Sequence, residues 1–176
     1  MNNLHATLDL ETLGLATNSV ILSIGMVVWE PGHEPIRKIH LRLDPDQPGR
    51  TSDPDTIKWW GRQNQAARAA AFTDGPGYTI EEAKYMLNNA VFSLNPSTLW
   101  ANDPSFDTAK LRDIFGYDML DFKTTRCIRT IRQVLRDLGH GQELLTIRSA
   151  THHNALDDAI WNQMVVDLYY NKVVKL

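Results

Sequence analysis

The chain of 176 residues contains one cysteine, Cys127. A lone thiol excludes an internal disulfide and any cluster of metal-binding thiolates, and it fits a reducing compartment. Long apolar runs are missing too. A membrane-spanning helix needs about 20 consecutive apolar residues, and nothing here approaches that; the polar start, Met1-Asn2-Asn3-Leu4-His5, lacks the charged-then-apolar pattern of a secretory signal. A cytoplasmic protein with no membrane partner is the expectation. Nor is there an excess of positive charge, the formal net charge being −3. That argues against a broad basic footprint for nucleic acid, although a carboxylate-lined site holding divalent cations meets phosphates while the overall balance stays acidic. Repeats, linkers and low-complexity tracts are absent. Residues 1–176 therefore read as a single domain, large enough to bury about 70% of the surface of its unfolded chain.

What is present begins with three strands: Leu4 to Leu10, Val20 to Glu30 and Ile36 to Leu43. The second is rich in β-branched residues, and the turn-forming stretch Glu30 to Pro35 predicts an antiparallel meander. A Pro-, Gly- and Asp-rich loop follows, with Ser52 or Asp53 as the start signal of a helix carrying Ile57, Trp59 and Trp60, then the Ala-rich stretch Gln65 to Phe72. Thr79 and Glu82 make a capping box, worth about 1 kcal/mol of local stability, for a helix to Phe92. The apolar core of Ser97 to Asn102 suits a strand, and Pro104 and Gly116 bracket the next helix. The order then repeats more loosely: an extended stretch around Leu120 to Lys123, a helix from Thr124 or Thr125 to Leu138, a loop, and a last helix from about Asn154 to Tyr170. Strands first, then helices alternating with strands, predict an α/β fold with a mixed sheet and helices on its faces.

The chemistry centres on Asp9-Leu10-Glu11. On a strand, residues i and i+2 share a face, so the two carboxylates point the same way. Like charges that close are unfavourable unless one is protonated or a cation lies between them, and hard carboxylate oxygens suit Mg²⁺ or Mn²⁺. The bland alternative is a strand end whose acids face solvent. Asp107 falls on the first turns of a helix that follows a strand, so it can reach the same sheet end, but an Asp near a helix N-terminus often needs no function. Late in the chain, His152 and His153 stand just before an amphipathic helix with Asp157 and Asp158 inside its first turn. A lone histidine there is more simply a cap or a hydrogen-bonded core residue.

Together these stretches resemble the three motifs of the DEDDh subclass of DnaQ-like 3′-to-5′ exonucleases, a branch of the ribonuclease H-like superfamily. Asp9-Leu10-Glu11-Thr12-Leu13-Gly14 stands for the first motif, Asn102 to Leu111 for the second with Asp107, and His152 to Ala159 for the third. His152 with Asp157 has the same spacing as His153 with Asp158; the Asn154-Ala155-Leu156 frame, with Asp158 directly before Ala159, favours the latter pair. A narrower likeness, carried by Asp55 to Gln63 and by Pro104-Ser105-Phe106-Asp107, points to small stand-alone exoribonucleases such as the polyadenylate-specific type and to related phage exonucleases, hence to host cytoplasm if the chain is phage-encoded. The resemblance implies a ribonuclease H-like mixed five-stranded sheet, an antiparallel three-strand meander plus parallel strands, with helices on both faces. It also implies two divalent cations, Mg²⁺ or Mn²⁺, about 3.5 to 4 Å apart, held by Asp9, Glu11, Asp107 and Asp158, with His153 as general base. The implied reaction is release of nucleoside 5′-monophosphates from single-stranded nucleic acid. RNA is slightly favoured over DNA.

Thr12, Leu13, Gly14, Trp60 and Phe106 are the residues expected to touch substrate. Gly14 lets backbone approach a ligand, and the resemblance makes Leu13 a wedge beside the terminal base. Of Trp59 and Trp60, about 100° apart on a helix, one is expected in the core and one at the site or an interface. Arg126, Arg129, Arg132 and Arg136 recur at helical spacing and read as a solvated face, with phosphate or a partner subunit as the alternative. Trp161, Val165, Leu168 and Tyr169 read as packing residues; their exposure would instead point to a homodimer. Two other functional classes remain: a catalytically silent nucleic-acid-binding module, and a carboxylate-based glycosidase, which would leave Asp107 and the histidines unexplained.

Overall fold

The computed structural model describes residues 3–72, 75–116, 123–147 and 150–174. Its sheet has five strands in the order β3-β2-β1-β4-β5, where β1 is His5–Thr12, β2 is Ile21–Trp29, β3 is Arg37–Arg42, β4 is Thr98–Ala101 and β5 is Thr125–Cys127. The first three form the expected antiparallel meander, and β4 and β5 run parallel to β1. Among the described residues, seven α-helices connect and cover them: α1 (Pro54–Gly61), α2 (Gln65–Ala71), α3 (Ile80–Ala90), α4 (Asp107–Phe115), α5 (Ile128–Asp137), α6 (Gly141–Thr146) and α7 (Ala155–Tyr169).

The alternation of β1 divides the protein into two layers. Ala6, Leu8 and Leu10 pack with Ala83 and Leu87 of α3 and Leu111 of α4, while Val27 and Trp29 of β2 and Trp100 of β4 face Ile128, Ile131 and Leu135 of α5 and Ala159, Val165 and Val166 of α7. Each fully buried Leu, Ile or Val contributes about 1.5–3 kcal/mol relative to an exposed one. The helices thus lie on both faces. Among the described residues, no helix is long and apolar enough to cross a membrane.

Local signals explain most boundaries. Asp53 caps α1, accepting from the backbone of Asp55 and Thr56, and Thr79 and Glu82 form the complete capping box of α3. That helix stops at Ala90, and Phe92–Leu94 turns into a 3₁₀ helix instead of continuing it. Thr125 to Cys127, read as the start of a helix, is instead strand β5, because its backbone pairs with Leu99 to Ala101 before α5 begins at Ile128. The loop expected after α5 contains α6. Of the expected extended stretch near Leu120, residues 120–122 lie outside the described residues.

Candidate active site

Asp9 and Glu11 occupy the end of β1 on the α7 side of the sheet, and Asp9 is paired in register with Gly25 of β2. Gly25 is essential to what comes next. A Cβ there would overlap the Ala155 carbonyl and the Leu156 nitrogen, so the missing side chain lets the first turn of α7 lie directly on the sheet. Asn154 caps that turn, its Oδ1 accepting from the backbone of Leu156 and Asp157 at 3.1 and 3.4 Å. Asp158 is thereby brought beside Glu11. Asp107 arrives from the opposite layer: the first residue of α4, it accepts a hydrogen bond from the Leu10 backbone and lies at the edge where β1 and β4 end. Three distant stretches therefore meet in one cleft of about 270 Å³, whose walls include Asp9, Glu11, Asp107, His153 and Asp158.

The third motif has a conformation of its own. His153 adopts φ +63°, the left-handed region that non-glycine residues rarely enter, and its backbone N–H donates to Asp158 Oδ2 at 2.9 Å. That bond fixes the turn that carries the imidazole. The ring stands edge-on to Trp59, with centroids 4.7 Å apart, and beyond it lies Trp60 at 6.2 Å. His152 is mostly exposed, with Nδ1 3.9 Å from Asp158 Oδ1.

Burial and mutual repulsion push the acids toward protonation. Asp9 is held well above the ordinary aspartate range, by burial first and then by Asp107, Glu11 and Asp158, with Arg132 opposing. Glu11 is pushed up to about 8 by burial, Asp158 and Asp107. Asp107 is pushed up to about 7 by burial, against the hydrogen bonds it accepts from the backbone of Asp103 and Leu10. Burial lowers the His153 pKa, as does His152, while Asp158 raises it; the balance favours neutral imidazole. A divalent cation fits this donor set. Glu11, His153 and Asp158 each offer a ligand atom, all within 4.8 Å of one another, and Asp158 Oδ1 is buried without a hydrogen-bond partner among the described residues. Cation binding would meet the orphaned oxygen and remove the repulsion together.

The residues expected to touch substrate divide. Phe106 lines both the acidic cleft and an adjoining cavity of about 440 Å³, which Leu15, Thr12 and Trp59 also line. Trp60 is 2% exposed; its indole donates to the Thr12 carbonyl at 2.9 Å and its ring packs with Val20, Leu22 and Ala71, so it is the core member of the pair, although it borders the adjoining cavity as the more exposed Trp59 does. Thr12 is buried, with its hydroxyl on the Gly14 carbonyl. At Gly14 a side chain would press on Ser19 and Asp53, so packing alone already favours glycine there. Leu13 packs against the Trp60 cluster, whereas Leu15 is 79% exposed at the cavity.

Gly25 is not among the residues that the sequence reading puts forward. Gly25 was visible as a glycine in the middle of a β-branched strand, a mark of close backbone approach. Arg132 reads in the sequence as part of a solvated face, with phosphate or a partner subunit as the alternative, but its guanidinium donates to Asn102 and Asn162, both at 2.9 Å, and stacks over Trp161 at 4.1 Å. Arg129 lines the cleft and pairs with Asp103. Trp161, Leu168 and Tyr169 pack against the α5–α7 core, and Val165 is fully buried, as expected of packing residues.

Comparison with solved structures agrees with this architecture. The fold is similar to Escherichia coli exonuclease I in complex with a dT13 oligonucleotide (TM-score 0.70, 16% identity, 96% of this chain and 41% of that one). It is also similar to exonuclease I of Methylocaldum szegediense (TM-score 0.71, 17% identity, 98% and 41%), and to the nuclease domain of 3′hExo, a DEDDh family member, bound to rAMP (TM-score 0.61, 12% identity, 99% and 94%). The chain spans about two fifths of the length of the exonuclease I chains, and at these identities the likeness is one of fold. Comparison with curated protein sequences finds no match. The resemblance to DnaQ-like exonucleases is borne out. A model of the 3′-5′ exoribonuclease Rv2179c-like domain matches residues 4–170, and the chain belongs to that family.

Proposed function

We propose that residues 1–176 act as a single metal-dependent 3′-to-5′ exonuclease domain, releasing nucleoside 5′-monophosphates from single-stranded ends, with RNA as the favoured substrate. The observation that carries this reading is the meeting of Asp9, Glu11, Asp107 and Asp158 with a histidine in one cleft, from three separate stretches of chain. Divalent cations bound by these carboxylates would supply charge to stabilise the phosphoryl oxygens and would make water more acidic. His153, whose burial favours the neutral imidazole, accepts the proton of the attacking water. Asp158 keeps the histidine's backbone in place through Oδ2. Leu15, Trp59 and Phe106 offer apolar surface to the terminal base in the adjoining cavity, and the indole of Trp59, exposed where Trp60 is not, is the stacking platform.

RNA is preferred on the family description. The second reading, single-stranded DNA, draws on the exonuclease I bound to dT13. The test is a time course on matched 5′-labelled RNA and DNA oligonucleotides, single- and double-stranded, with Mg²⁺, Mn²⁺ or excess chelator. A ladder shrinking from the 3′ end of single-stranded RNA, and abolished by chelator, is expected. Turnover that persists in chelator would remove the mechanism, and binding without release would indicate a silent module.

A further inference from the structure

Lys110 lies one turn after Asp107 on α4 and is 1% exposed. A buried ammonium is costly unless its protons find acceptors. Here Nζ donates to the carbonyls of Leu15, at 3.0 Å, and Ala16, at 2.5 Å, and lies 4.2 Å from the centroid of the Phe106 ring, whose face attracts a cation. The two residues it joins have something in common. Leu15 and Phe106 both line the cavity of about 440 Å³ beside the acidic cleft, one on the β1–β2 connection and one at the head of α4. Leu15 is 79% exposed, so its side chain has little packing to hold it. Its backbone is held through Lys110.

The other end of the same connection has a different tether. Arg50 donates to the carbonyls of Ser19 and Thr17 at 2.9 and 3.2 Å and pairs with Asp113 of α4 at 2.9 Å. Among its described contacts, none is to Phe106 or Leu15. Arg50 therefore orders the loop, whereas Lys110 joins the loop to a wall of the cavity.

We infer that Lys110 is a positioning residue that sets the gap between Leu15 and Phe106, and so governs how tightly the terminal nucleotide is held. This rests on the proposed exonuclease reading, in which that nucleotide occupies the cavity. The role acts on binding and leaves the proton-transfer geometry at His153 alone. Its signature is a change in KM, and in the Kd of a nucleoside 5′-monophosphate, without a matching change in kcat.

The experiment uses the full chain with Mn²⁺ and compares the wild type with Lys110→Met, Lys110→Arg and Arg50→Met. It measures steady-state kinetics on a labelled single-stranded RNA, the Kd of adenosine 5′-monophosphate by isothermal titration calorimetry, and thermal melting. Lys110→Met is expected to raise KM and Kd about tenfold with kcat within about threefold, and Lys110→Arg, which keeps charge and donors, to restore most of the loss. Arg50→Met is expected to lower the melting temperature while KM and Kd stay within about twofold. Wild-type KM and Kd in Lys110→Met would overturn the inference, and so would an equal rise in Arg50→Met, which would mean loop order alone matters. If Lys110→Met does not fold, Lys110→Gln carries the same comparison. A wild type that binds the nucleotide but releases none would defeat the exonuclease reading and leave the Kd comparison to judge Lys110; one that binds no nucleotide overturns both.

Discussion

Ala6, Leu8 and Leu10 of β1 face α3 and α4 in an apolar cluster, whereas His5, Thr7 and Glu11, one residue out of step on the same strand, are buried on the α7 side beside the half-buried Asp9, and that face carries two carboxylates. The backbone pairing is common to both sets, so the difference lies in what each face is asked to exclude. One face gains free energy by expelling water. The other gathers like charges where water is scarce, and there stability is traded for a place to bind cations. Strand periodicity keeps the two apart, and slipping the register by one residue would exchange them.

The largest expected break is on the charged face. His153→Ala is expected to lower kcat by about 10²–10⁴, the usual share of a general base, and Asp158→Asn to abolish turnover, while His152→Ala and Asp157→Asn largely spare it. Single-turnover rates on RNA decide this, and the opposite pattern would move the third motif by one residue. On the apolar face, Leu8→Ala is expected to cost about 2–5 kcal/mol of folding stability by leaving a cavity, read from denaturant unfolding, with little loss of kcat in the folded fraction. Asp9→Asn should do the reverse, killing turnover while stabilising the metal-free protein. If both variants lost stability equally, the division between the faces would be wrong.

A smaller contrast separates the two tryptophans. Trp59→Ala is expected to raise KM by the loss of about 1–3 kcal/mol of base stacking, whereas Trp60→Ala, which empties part of a core and frees the Thr12 carbonyl, should show first in thermal melting. Equal KM effects with unchanged melting would contradict their assignment.

The two faces also differ in how they respond to pH. Glu11 and Asp107, raised to about 8 and about 7, keep protons in the folded protein that the unfolded chain has already released. The metal-free protein should therefore lose stability as pH rises from the ordinary carboxylate range through those values, and Mn²⁺ should raise its melting temperature more at pH 8 than at pH 6. Flat or rising stability in chelator over that range would refute the shifts. His5 has the opposite sign. Burial lowers its pKa from 6.5 to about 4, and Nδ1 must be unprotonated to accept from the Trp100 indole at 3.0 Å. Its contribution is complete above pH 6.5 and is lost as pH falls toward 4; His5→Asn should flatten that part of the profile, and an unchanged profile would show that His5 does not cause it.

Much of this is legible in the sequence. Asp9 and Glu11 announce a shared face by their spacing, the capping box at Thr79 marks a helix start from local chemistry, and the meander follows from β-branched runs around Glu30 to Pro35. What was hidden depends on partners far away in sequence. Thr125 to Cys127 is a strand because β4 has an open edge, and three residues carry too little pattern to say so. Neither tryptophan of α1 is distinguished until Val20, Leu22 and Ala71 close around Trp60. Lys110 and Arg132 look like ordinary surface cations, since no local signal announces a buried lysine whose acceptors are loop carbonyls 94 and 95 residues away.

Gly25 gives the arrangement an unusual weak point. It bears no donor, no charge and no surface for a ligand, yet the late aspartate can come alongside the early pair only because that position contributes a hydrogen where every other residue would contribute carbon. A single methyl group there would lift the final helix and carry its acid out of reach with every ionisable group intact. In this domain, chemistry depends as much on a vacancy in the sheet as on the groups that surround it.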